Sequence, residues 1–199
     1  MWVTSTTTPD TPPNDAFIDD PAVVTDKLLD TPNIVITSPA AQLSFRNFFN
    51  LENTFDGGVL EVSSPNINGG AFTDVTAAAV GGSFATGGYT QTISTNFQSP
   101  IAGRMAWSGN AGSYTNTVAN LGPNVAGHTI KLRFRMASDN SVSATGWRID
   151  TIRVVDGACP SATPTATSTG TPAPSATPSC PPTITQSSSQ AIETGNSVS

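Results

Sequence analysis

The heptapeptide IKLRFRM, residues 130–136, carries the plainest structural signal in the chain. Its apolar residues Ile130, Leu132, Phe134 and Met136 alternate with one lysine and two arginines. Alternation with a period of two is typical of a β-strand that has one buried face and one solvent-facing face. The heptapeptide therefore predicts a strand that lies over an apolar core.

Segments of the same character fill the chain before Gly157. In GVLEVS, residues 58–63, Leu60 and Val62 share one face and Glu61 points to the solvent side, and NGG at residues 68–70 predicts a hairpin turn. Further strands are predicted in NIVIT (33–37), QLSFRNFFNL (42–51), GYTQTIST (88–95), GRMAWSG (103–109) and SYTNTVANL (113–121). Roughly nine to eleven short strands at this spacing are typical of an all-β fold, an antiparallel β-sandwich of the jelly-roll type.

Residues 134–154, FRMASDNSVSATGWRIDTIRV, continue the first strand through a polar turn into another strand. Trp147 and Ile149 return to the core, while Arg148 and Asp150 lie on the outer side. We therefore expect this stretch to form the closing hairpin of the sandwich.

Charge is unevenly distributed over the 199 residues, whose net charge is −6. Residues 1–42 contain six aspartates and one lysine, whereas seven acidic and seven basic residues cancel between residues 43 and 156. Because nucleic-acid binding depends on basic side chains that neutralise phosphates, we expect no nucleic-acid partner. No apolar run approaches the roughly 20 residues of a membrane span, and the first residues lack the pattern of a secretion signal.

A linker is predicted after the sandwich, which we assign to residues 1–156. Residues 157–182 are rich in Pro, Thr, Ser and Ala and lack large apolar side chains, so they cannot offset their ordering entropy by burial. Residues 183–199, TITQSSSQAIETGNSVS, resemble the start of a second β module. We therefore expect a piece of a longer secreted protein. Cys159 and Cys180 either pair with each other across the linker, or Cys180 pairs with a residue of the second module.

Three sets of residues present catalytic chemistry, and each has a structural alternative. Ser138, Asp139 and Asn140 spell a motif of serine β-lactamases, but the partner motifs are absent and the triplet is typical of a turn. His128 would be the base of a serine hydrolase, but it begins a strand and no nucleophile motif accompanies it. Glycoside hydrolysis would need two of the carboxylates Glu52, Asp56, Glu61 and Asp150 in one cleft, and cross-strand ion pairs explain these residues equally well.

Calcium binding is the stronger site hypothesis, because Ca²⁺ takes six to eight hard oxygen ligands. Candidate ligands lie in the loop NLENTFDGG, which contains Glu52 and Asp56, in the acidic segment with Asp19 and Asp20, and at Asp150. The alternative is that these acids are solvated residues of turns.

Aromatic side chains offer a second kind of binding site. Trp107, Trp147, Tyr89 and Tyr114 are the candidates for stacking against sugar rings. The two tryptophans alternate with apolar residues along their strands, so core packing is the competing interpretation.

The order of motifs resembles the MAM-like jelly-roll domains that are appended to secreted bacterial proteins, including immune-inhibitor-A-type metallopeptidases. The resemblance spans residues 17–155 and depends mainly on FDGGVLEVS followed by NGG, and on LRFR, SDNS and GWRIDTI. It implies a two-sheet sandwich with an accessory or adhesive role, and modules of this class often carry a structural calcium ion. It implies no peptidase activity, because the zinc-binding HExxH motif is absent from the sequence.

These observations predict a non-catalytic extracellular module that recognises a glycan or a cell-surface protein, next to other domains of the same polypeptide. One alternative is a structural subunit that assembles into a filament or surface layer through its edge strands. A second alternative is a carboxylate-dependent glycan hydrolase.

Overall fold

The computed structural model describes residues 1–157 and the backbone of residues 183–185. Most of the predicted linker and second module, including Cys159 and Cys180, lies outside the described residues. The described strands are β1 (Val3–Ser5), β2 (Asp15–Asp20), β3 (Thr25–Asp30), β4 (Ile34–Ile36), β5 (Gln42–Asn50), β6 (Gly57–Ser63), β7 (Thr73–Asp74), β8 (Ser83–Thr86), β9 (Gln91–Thr92), β10 (Met105–Ala106), β11 (Thr115–Asn120), β12 (His128–Ser138), β13 (Ala144–Val155) and β14 (Thr183–Thr185). Two short 3₁₀ turns, Asn68–Gly70 and Pro123–Val125, complete the regular structure of this part.

The strands form two antiparallel sheets, which confirms the predicted all-β sandwich. One sheet has the order β1-β2-β13-β5-β11-β8, with β14 also paired to β13. The other has the order β3-β12-β6-β7, with β4 also paired to β12. A separate two-stranded ribbon joins β9 and β10. No helix in the described part of the chain has the length and hydropathy to cross a bilayer.

The core lies between the two sheets and is aromatic at its centre. The apolar face predicted for IKLRFRM is fully buried on β12, since its four apolar side chains are at most 1% exposed. Phe134 from this strand meets Phe45 of the opposite sheet edge-to-face, with ring centroids 5.1 Å apart. Trp107 and Trp147 pack beside them with a centroid separation of 5.6 Å. Aromatic contacts of this geometry add stabilisation beyond the burial of area.

The prediction that residues 134–154 form a closing hairpin is wrong. β12 pairs with β3, β4 and β6, whereas β13 belongs to the other sheet, where it pairs with β2 and β5. Residues 139–143 therefore cross from one sheet to the other at an end of the sandwich. Period-two alternation does not separate these arrangements, because two paired strands and two facing strands both turn their apolar side chains towards one core.

The outer face of the five-stranded sheet carries cross-strand ion pairs; of the acids for which such pairs were predicted, only Glu61 forms one in the described chain. Arg133 binds Asp30 and Arg135 binds Asp26, each through two hydrogen bonds of 2.7–2.8 Å. Glu61 also lies on this face, but it is only 2% exposed, so its expected solvent exposure is wrong. The segment around β9 and β10 folds over it and brings Arg104, which forms an ion pair with the Glu61 carboxylate.

Candidate metal centre

Four carboxyl groups meet where several strands end together. Asp20 is the last residue of β2, Glu52 and Asp56 lie in the connection from β5 to β6, and Asp139 directly follows β12. The antiparallel register places these positions at the same end of the sandwich, since Ala144 pairs with Asp20 and Ala137 pairs with Gly57. Residues far apart in sequence are thereby brought to one point.

The connection between β5 and β6, residues 51–56, is a tight loop. The backbone N–H groups of Phe55 and Asp56 both donate to the Glu52 carbonyl oxygen, and Thr54 adopts a left-handed φ of 70°. Two glycines then let β6 begin against the core. A Cβ on Gly58 would lie 2.8 Å from the Trp147 ring, so the glycine allows the close approach that fixes Asp56 beside the core.

The carboxylates of this cluster are close together and largely removed from solvent. Oxygen atoms of Glu52, Asp56 and Asp139 all lie within 4.8 Å of one another. Asp56 is 0% exposed, Asp139 1% and Asp20 2%. Two backbone donors tie the cluster together, since Asp139 N donates to Asp56 Oδ1 at 2.6 Å and Glu52 N donates to Asp20 Oδ2 at 3.2 Å.

Three oxygen atoms of the cluster are buried and have no hydrogen-bond partner. They are Asp20 Oδ1, Glu52 Oε2 and Asp56 Oδ2. A buried carboxylate oxygen without a partner costs the desolvation free energy of the group. A cation bound between Glu52, Asp56 and Asp139 would offset this cost for the carboxylates that contact it.

The electrostatics of the cluster oppose ionisation in the absence of a cation. Burial, aided by the neighbouring Asp20 carboxyl, raises the pKa of Asp56 to about 9. Burial also raises the pKa of Asp20. The pKa of Glu52 is raised by burial and, to a smaller extent, by the neighbouring Asp139 carboxylate. When both are ionised, the Asp20 and Asp56 carboxylates have no donor between them, and a proton retained by one of the two would bridge the pair and relieve the repulsion.

The donor set fits a hard divalent cation. The cluster offers only oxygen ligands, and Ca²⁺ takes six to eight of these, at 2.3–2.6 Å, with carboxylates bound through one or both oxygens. Zinc and copper would favour imidazole or thiolate, and neither belongs to the cluster. Glu52, Asp56 and Asp139 could therefore supply carboxylate oxygens to Ca²⁺, with Asp20 beside Asp56.

The structure places the calcium ligands expected from sequence in three different environments. Glu52, Asp56 and Asp20 come together as described. Asp19 instead points outward and pairs with Lys27 at 2.7 Å. Asp150 lies on the outer side of the seven-stranded sheet and accepts a 2.7 Å hydrogen bond from Thr11 N.

Asp139 joins the cluster although sequence reasoning treated it as a turn residue. Its Oδ1 does accept a 2.8 Å hydrogen bond from Ser141 N, so it also performs the expected turn chemistry. In the sequence, Asp139 is marked only by its position directly after the strand predicted from IKLRFRM. This position alone does not indicate a metal ligand, because the loop with Asp56, which Asp139 contacts, lies 83 residues earlier in the sequence.

The residues considered for catalysis have structural partners in the described chain. Ser138 donates its hydroxyl to the Val23 carbonyl at 2.7 Å. His128 shares a 2.9 Å hydrogen bond with the Asn66 side chain. Glu61 binds Arg104 and Arg135. Ser138 and His128 therefore have separate partners and do not form a serine–histidine pair in the described chain.

The four aromatic residues considered for sugar stacking are packed into the protein. Trp147 is 0% and Trp107 1% exposed, and their indole N–H groups donate to Asn47 Oδ1 and Gly87 O. The Tyr89 hydroxyl contacts the backbone of Leu60 and the Asp74 carboxylate. Tyr114 donates a 2.6 Å hydrogen bond to the carboxylate of Asp15. These surroundings favour the core-packing interpretation.

Comparisons with known proteins add no family assignment. No protein-family model matches the chain, and no curated protein has a similar sequence.

Proposed function

We propose that residues 1–156 form a calcium-binding, non-catalytic module of a larger extracellular protein. In this proposal, the ion holds the loops at one end of the sandwich in the arrangement that meets a glycan or protein partner. The observation that carries the proposal is the set of buried oxygens of Asp20, Glu52 and Asp56 that lack a donor when these carboxylates are ionised. The extracellular and accessory role is supported by the composition and by the resemblance to MAM-like domains.

Physical chemistry favours a bound cation over a metal-free cluster. Four carboxylates in one buried site would either repel each other or retain protons at neutral pH. Neither Lys nor Arg forms an ion pair with any of the four in the described chain. A divalent ion supplies the missing positive charge and permits all four to ionise.

The same burial disfavours the hydrolase alternative. A general acid with a raised pKa must still reach the glycosidic oxygen of its substrate. Asp56, which has the most strongly raised pKa among the carboxyl groups, has no exposed surface. Its position suits an internal ligand better than an acid catalyst.

Calcium titration of the protein tests the proposal. We expect one calcium site by isothermal titration calorimetry, and thermal stabilisation of about 5 to 10 °C when the ion is present at about 100 times its Kd. Asp139→Asn should abolish both effects, because it removes a charged ligand and retains the oxygen that Ser141 N contacts. Asp19→Asn is the matched control, since it makes the same charge change at the neighbour of Asp20 and should respond like the wild type.

The outcomes separate the interpretations. An unchanged melting temperature with and without calcium would contradict the proposal. A calcium response that survives in Asp139→Asn would place the ion elsewhere. Release of product from polysaccharides, lost in Asp56→Asn, would instead support the hydrolase.

A further inference from the structure

A cleft of about 520 Å³ opens next to the acidic cluster. Its walls come from the loop with Asn53, from the β8–β9 connection and β9, and from residues 107–111 between β10 and β11. The volume falls within the range of small-molecule binding sites. The edge of Trp107 and the ring of Phe49 contribute apolar surface at its base.

The lining of this cleft is polar and uncharged. Of the described residues that line it, none is acidic or basic. Three primary amides stand along it, from Asn53, Gln91 and Asn110. The side chains of Asn53 and Gln91 make no hydrogen bond to the described chain, and Asn110 uses only its Oδ1, which accepts from Gly112 N.

This chemistry matches a polyhydroxyl ligand. Each amide presents a donor and an acceptor, and a sugar hydroxyl also donates and accepts. A charged ligand would enter the cleft without a counter-charge and would lose hydration without compensation. A neutral saccharide can set its C–H face on the apolar base and its hydroxyls against the amides.

The cleft and the acidic cluster share one loop. Asn53 lies directly after Glu52 in the sequence, and the loop is bonded to the opposite wall of the cleft. Leu51 N donates to Gly109 O at 2.9 Å. The Ser108 hydroxyl accepts from Thr54 N at 2.8 Å and contacts the Glu52 carbonyl oxygen at 3.2 Å. An ion held by the Glu52 side chain therefore restricts the backbone that positions Asn53.

We propose that this cleft binds a neutral oligosaccharide, and that calcium at the adjacent cluster strengthens the binding by ordering residues 51–56. The calcium dependence rests on the proposed calcium site, whereas the saccharide preference rests on the lining of the cleft alone. A rigid loop removes the entropy that a ligand would otherwise lose when it fixes Asn53.

The test measures saccharide binding to the whole chain by calorimetry and by saturation-transfer NMR. The probes are the neutral tetrasaccharides of cellulose, xylan, mannan, laminarin and chitin, with tetragalacturonate as the charged comparison. We expect at least one neutral probe to bind in calcium, and Asn53→Ala and Gln91→Ala each to weaken it about three- to tenfold through one lost hydrogen bond. Gln42→Ala is the matched control, because this exposed amide lies on β5 and does not line the cleft.

Calcium removal provides the second arm of the test. We expect affinity for the same probe to fall at least about fivefold when calcium is chelated. Equal affinity with and without calcium would overturn the coupling. A calcium-stabilised protein that binds none of the neutral probes would overturn the saccharide site and leave the calcium site standing. Binding of neutral probes by a protein without a calcium response would overturn the proposed function and support the cleft, and preference for tetragalacturonate would overturn the neutral ligand.

Discussion

Removal of calcium should make the stability of this protein fall as the pH rises through neutrality. In the metal-free fold the pKa of Asp56 is raised from 3.8 to about 9, so the folded protein keeps a proton that the unfolded chain releases. Stability decreases with pH wherever the folded state binds more protons. The decrease therefore begins above the unfolded value near 4 and ends near 9.

The size of the effect follows from one bound proton. A difference of one proton changes the free energy of unfolding by about 1.36 kcal/mol per pH unit, so about 3 kcal/mol is lost between about pH 5.5 and about pH 8. For a domain of this size the melting temperature should drop by about 6 to 12 °C. Asp20 and Asp56 titrate as a coupled pair, and the pair sets the slope. Asp156 has a lowered pKa, so the stability that its ionised form contributes is lost only below about pH 4 and leaves this window unaffected.

Urea unfolding in calcium-free and calcium-saturated buffers, followed by tryptophan fluorescence, measures this slope. Saturating calcium should remove the slope, because the bound ion keeps the cluster ionised in the folded state and binding releases the proton. Asp56→Asn should also remove it, since the amide imitates the protonated carboxyl, and at about pH 8 the metal-free variant should exceed the metal-free wild type by about 6 kcal/mol, the loss that the wild type accumulates between about pH 4 and about pH 8. A flat or rising profile in the metal-free wild type, or the same slope in Asp56→Asn, would refute the reasoning.

Three further predictions concern the scaffold. Gly146→Ala should destabilise severely or prevent folding, because its Cβ would lie 2.0 Å from a backbone oxygen of β2. Gly112 also has a positive φ, but a Cβ there would have no atom within 4 Å, so thermal melting of Gly112→Ala should show only about 1 kcal/mol of loss. Arg148→Met should cost about 3 to 5 kcal/mol in urea unfolding, since it leaves the buried Asp15 carboxylate without its cationic partner, and a loss below about 1 kcal/mol would contradict this. Burial raises the pKa of both tyrosines of the chain, so ultraviolet titration of the folded protein should show no tyrosinate near pH 10, where the tyrosines of the unfolded chain ionise. Tyrosinate formation near pH 10 in the folded protein would contradict the hydroxyl contacts of Tyr89 with Asp74 and of Tyr114 with Asp15.

The sequence by itself determined the local structure and the chemistry of single loops. The alternation in IKLRFRM predicted both the strand and its buried face, because side-chain direction in a strand depends only on the parity of the position. The loop with Glu52 and Asp56 could be selected as a candidate cation site, since two carboxylates lie close in sequence. The ion pairs of Arg133 with Asp30 and of Arg135 with Asp26 were not predicted, because alternation along one strand does not identify the strand beside it.

Only the tertiary structure decided which distant elements meet. The segment 139–143 crosses between the sheets, and that crossing carries Asp139 to a loop 83 residues away. The alternation of apolar and polar residues along a strand is the same whether the next strand pairs with it or faces it across the core. The pattern therefore does not show whether residues 134–154 form a hairpin or cross between the sheets. The burial of Glu61 has the same origin, because the segment that covers it returns from more than 30 residues further along the chain. The metal centre proposed here depends on long-range register, which local sequence patterns do not encode.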